Sequence, residues 1–150
     1  MQPSTRFIAL ANKNLRLFLA GHAISLTGSW MQSVAQGWLV YTLTKSAFSL
    51  GLVAVALSAP VLLFSLLGGV IADKVNRRQL LITTQTLSIL PALLLAVLTL
   101  SGQITVGWIM GLAFLLGTVN AIELPARQAF LAELVTRAEL TSAITLHSVV

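Results

Sequence analysis

Residues 68–80 read GGVIADKVNRRQL. Two glycines close a long apolar run, and Asp73, Lys74, Arg77 and Arg78 then fall within six positions. The whole chain has 150 residues, with nine Lys and Arg and four Asp and Glu, so this stretch holds four of thirteen charges. A water-facing domain normally carries about a quarter charged residues. Here 9% are charged and 57% are hydrophobic, a composition that cannot cover a surface in water. It indicates an integral membrane protein. The net charge of +5 does not indicate a nucleic-acid partner, because the basic residues are spread between apolar blocks and form no contiguous patch. The absence of Cys excludes disulfides and thiolate metal sites.

Outward from this stretch, apolar blocks repeat. A helix needs about 20 residues to cross a hydrocarbon core of about 30 Å. Four blocks qualify, at about residues 17–42, 47–72, 80–100 and 104–124. A fifth helix is expected from about residue 136, where Thr136 and Glu139 have the spacing of a capping box. The sequence ends inside that helix, which reads as an N-terminal part of a longer protein. The expected connections are a tight turn at Thr44-Lys45-Ser46, with Ser46 as N-cap, and a basic turn from Lys74 to Gln79. They continue with an uncharged turn at Ser101-Gly102-Gln103, with Gly102 in the left-handed region, and a longer link from Pro125 to about Val135. The fold expected is all-α, a polytopic transmembrane helix bundle.

The basic residues orient it. Arg6, Lys13, Arg16, Lys74, Arg77, Arg78, Arg127 and Arg137 fall on one side and only Lys45 on the other. By the positive-inside rule the N-terminus is cytoplasmic. A cleaved signal peptide is disfavoured, because the first apolar block is too long and too polar on one face.

That polar face consists of His22, Ser25, Ser29, Gln32, Ser33 and Gln36, which lie within an arc of about 100° on a helix. Gly21 and Gly37 extend the stripe of small residues. Two readings compete. Small residues at four-spacing suit close helix packing. Long polar side chains such as Gln32 and Gln36 are costly in lipid, and they suit a water-filled substrate pathway. His22 is the only titratable group expected inside a span and is a candidate proton carrier, although a lone His more often packs. Pro60 and Pro91 lie inside helices and read as packing features. In the fourth helix, Gly107 and Gly111 form GxxxG, and Ala113, Gly117 and Ala121 continue small residues at four-spacing.

A cytoplasmic address explains Lys74, Arg77 and Arg78 but not Asp73. A carboxylate at a helix C-terminus meets the negative end of the dipole and wants a cation or another helix's N-terminus as partner. Asn76 is expected to take the left-handed conformation at the reversal. No nucleophile–base–acid set, metal-ligand spacing or phosphate-binding loop is present, so neither an enzyme nor a metal or cofactor site is expected. A four-helix membrane scaffold or assembly subunit is the alternative class, but it requires neither the polar face nor Asp73.

The pattern Gly69-x-x-x-Asp73-Lys74-x-Asn76-Arg77-Arg78 resembles the loop motif between the second and third helices of major facilitator superfamily transporters. Asn76 stands where that motif usually has Gly. The segment Glu123 to Val135 is similar to the link after the fourth helix in the exporter branch that includes the enterobactin exporter and macrolide efflux proteins. The resemblance implies about four and a half helices of the six-helix N-terminal half of a twelve-helix transporter, with a C-terminal half of the same chain as partner. It implies a secondary active exporter of a small molecule (a siderophore, drug or similar) working by alternating access and proton antiport in a bacterial inner membrane. It implies that Asp73 latches onto the second half, that Gly69 permits the close approach, and that Arg77 pairs with an acid matching Glu123. Without the second half, Asp73 is expected to be unlatched or held by Arg77, Arg78 or Arg127.

Overall fold

The structure, a computed structural model, describes residues 13–134, with side chains from 16 to 131. The expected fifth helix with Thr136 and Glu139, and the side chains of Lys13 and Glu133, lie outside these. Among the described residues there are four long helices and no strand: α1 (Lys13–Thr44), α2 (Ala47–Lys74), α3 (Arg77–Leu100) and α4 (Val106–Leu134). The described chain divides into two compact units, residues 32–127 and residues 13–31 with 128–134.

Helices α2, α3 and α4 are long and apolar enough to cross a membrane. Side chains such as Leu62, Leu66 and Leu100 are about 80–90% exposed, which is the surface lipid covers and water does not. The chain is a multi-pass membrane protein. Helix α1 was also expected to span. It is long enough at 32 residues, but its polar stripe keeps it out of the strongly apolar set. Hydroxyls inside the apolar helices satisfy themselves locally. Ser58, Thr86, Thr99 and Thr118 each donate to the carbonyl four residues back at 2.7–2.9 Å, so none needs a partner in lipid.

Helix α4 carries the core of the larger unit. Ile109, Leu112, Ala113, Val119, Ala121 and Ala126 are buried along it. Small residues let α2 press on its backbone. A Cβ at Gly117 would fall on the Leu57 carbonyl oxygen and 3.2 Å from the Pro60 ring. A Cβ at Gly68 would fall on the Ala121 carbonyl oxygen and 3.0 Å from the Ile122 Cα. The GxxxG pair plays no such part: among the described residues, a Cβ at Gly107 or Gly111 would meet no atom of another helix within 4 Å. Pro60 and Pro91 are fully buried, which agrees with a packing role.

The turn between α2 and α3 is shorter than expected, whereas that between α3 and α4 is longer, running over residues 101–105. Val75 and Asn76 alone separate α2 from α3, so Arg77, Arg78 and Gln79 form the first turn of α3 rather than a loop. Asn76 is not left-handed, at φ −59° and ψ 113°. It is the N-cap of α3, and its Oδ1 accepts from the backbone N–H groups of Arg78 at 3.1 Å and Gln79 at 3.2 Å. Left-handed backbone occurs at Gly102 (φ 70°), as expected, and at Lys45 (φ 52°). Ser46 caps α2 through Ser49 N–H. The link expected from Pro125 is also corrected, because α4 runs through it to Leu134. Pro125 costs one backbone bond. Alanines on both sides and the i,i+4 pair Glu123–Arg127 favour continuing the helix.

Candidate functional site

The site lies in the larger unit, around the α2–α3 turn and the nearby part of α4. Helix α2 ends with two adjacent stripes. Gly68 and Ala72, four apart, are buried, and Gly68 lies against α4. Gly69 and Asp73, also four apart, lie on the open side: among the described residues nothing lies within 4 Å of a Cβ at Gly69, and the Asp73 side chain is 77% exposed. Close approach within this unit therefore belongs to Gly68, and Gly69 is left clear.

Asp73 lies 4.0 Å from the Arg77 guanidinium. The carboxylate sits at the C-terminal end of α2 and the guanidinium at the N-terminal end of α3. Each is unfavourable for the dipole of its own helix. A two-residue turn brings them together, and each offsets the other's misplacement. The contact is long and exposed, so it contributes at most about 1 kcal/mol. Lys74 and Arg78 are exposed beside it.

Glu123 has the opposite surroundings. It is 4% exposed. Its Oε1 accepts from Arg127, one turn on along α4, and from the side-chain amide of Gln85 on α3 at 2.9 Å. A buried carboxylate without donors would cost several kcal/mol, and these two provide for it. Gln85 did not stand out in the sequence analysis. The signal was available, because a Gln in an apolar helix requires a partner by the same argument applied to Gln32 and Gln36.

The stripe on α1 divides. In the smaller unit His22 is buried and stacks on Phe18 at 6.4 Å, and Phe18 packs on Phe130 at 5.5 Å. Ser25 is half-buried, and exposed Ser29 donates back to the Ser25 carbonyl at 3.0 Å. In the larger unit Gln32 and Gln36 are half-buried and Ser33 is exposed. Among the described residues nothing hydrogen-bonds the Gln32 or Gln36 amide. Packing and local bonding thus account for His22 and Ser29, but not for the two glutamines.

The sequence profile of the transmembrane secretion effectors matches residues 4–150. The chain belongs to this family of the major facilitator superfamily. It is 34% identical over 134 residues to the staphyloferrin A transporter of Staphylococcus aureus (strain NCTC 8325 / PS 47). That alignment covers 89% of this chain and 34% of the relative, so the chain spans about a third of the relative's length. No solved structure matches it.

Proposed function

We propose that the protein containing this chain is a secondary active exporter that alternates between inward- and outward-open states and is driven by proton antiport. Its substrate is a small molecule of the siderophore or drug class, and the relative named for staphyloferrin A supports that range. It lies in the bacterial inner membrane with α1 as a further span and the N-terminus in the cytoplasm, the side that eight of nine basic residues favour. The part of the α1 polar stripe in the larger unit, Gln32, Ser33 and Gln36, faces the pathway.

One observation carries the gating part of this reading. Gly69 and Asp73 share an open stripe of α2 directly beside the buried stripe of Gly68 and Ala72, whose Gly68 lies on α4. An exposed acid beside a clear glycine, in a chain poor in charge, suits docking onto another part of the full-length protein. Lys74, Asn76, Arg77 and Arg78 shape the turn, and Glu123 with Arg127 is the gating partner on α4.

Asp73→Asn in the full-length protein tests the latch. Export of staphyloferrin A, a macrolide or a cationic dye is lost, while expression and membrane insertion persist; normal export would refute the gating role. Cysteines at Gln32 and Gln36 test the pathway. They react faster with water-soluble thiol reagents than a cysteine at Leu39, and equal rates would sink that assignment.

A further inference from the structure

Glu123 receives two side-chain donors that differ in kind. Arg127 lies one turn away on the same helix, so their bond can form wherever α4 stands relative to its neighbours. Gln85 lies 38 residues away on α3, so its bond forms only when α3 and α4 hold their present relation. Both donate to the same oxygen, Oε1. The carboxylate is almost wholly buried, so losing a donor is not made good by water.

We propose that Gln85 is a positioning residue, holding the Glu123 carboxylate and through it Arg127, so that its bond to Glu123 is a conformational clasp between α3 and α4. This deepens the exporter reading and rests on it. The clasp stabilises one of the two alternating states, and its release belongs to the transport cycle.

The test uses the full-length protein. Gln85→Leu keeps the bulk and removes the donor. Gln85→Glu places a second carboxylate against the first. Gln85→Glu with Glu123→Gln exchanges the partners and restores one amide–carboxylate bond. The expected result is that both single variants shift the balance between states about tenfold, the size of one hydrogen bond to a charged group, and lose export accordingly. The exchanged pair recovers most of it. Export equal to the parent in both single variants overturns the proposal, as does a loss that the exchanged pair fails to recover, since Gln85 would then only fill space. With any cysteines outside residues 1–150 replaced, a cysteine at Gln32 reports the state independently of transport. If the unmodified protein exports none of the probes, the exporter reading fails, and labelling at that cysteine still judges the clasp. A labelling rate changed by Gln85→Leu and restored by the exchange supports it, and any other pattern overturns it.

Discussion

The end of α2 shows two neighbouring stripes with opposite fates. Gly68 and Ala72 are buried, with Gly68 against α4, whereas Gly69 and Asp73, one residue further on, face away from the packed helices. The two carboxylates of the site divide in the same way. Glu123 is buried and held by two donors, and Asp73 is exposed with one distant cation. Inward positions meet the needs of this bundle. Outward positions hold groups that the bundle itself does not require.

Substitutions can break this contrast, and the largest effect is expected inside. Arg127→Ala leaves a buried carboxylate short of a donor and should cost about 3–5 kcal/mol. Unfolding of the full-length protein in detergent measures it, and Arg127→Ala with Glu123→Ala should recover much of the loss. Next comes Gly68→Val, which drives a side chain into the Ala121 carbonyl and costs about 1–3 kcal/mol. Gly69→Val, into open space, changes stability little, and equal costs at the two glycines would dissolve the distinction. Asn76→Ala removes the cap of α3 and costs about 1 kcal/mol. Asn76→Ser should be nearly neutral, since Ser caps well; a left-handed Asn76 would instead make Ser as harmful as Ala. The smallest change in stability belongs to Asp73→Asn, under about 1 kcal/mol, although the same substitution is expected to abolish export. Only an outward-facing group can separate the two measurements so widely.

Much of the fold was legible. Apolar block length places α2 and α3 within three residues of their expected bounds, because a helix in lipid must satisfy its own backbone wherever side chains are apolar. Ser46 and Gly102 were legible as helix ends, because their roles depend on local backbone alone. The end of α4 was not. Pro125 reads as a stop, yet the helix passes it, and the alanines and the Glu123–Arg127 pair outweigh the lost bond. Asn76 was legible as a reversal residue but not as an N-cap, since the same residue type serves both and only the backbone angles decide.

By itself the sequence determined the membrane setting, the all-helical class, the family motif and the oddity of Asp73, because composition and local spacing carry these. Tertiary structure decided which glycine is pressed and which is clear, and which donors reach Glu123. The physical reason is that a helix turns about 100° per residue. Gly68 and Gly69 are adjacent and identical in the sequence, and a single step of rotation sends one against α4 and leaves the other open.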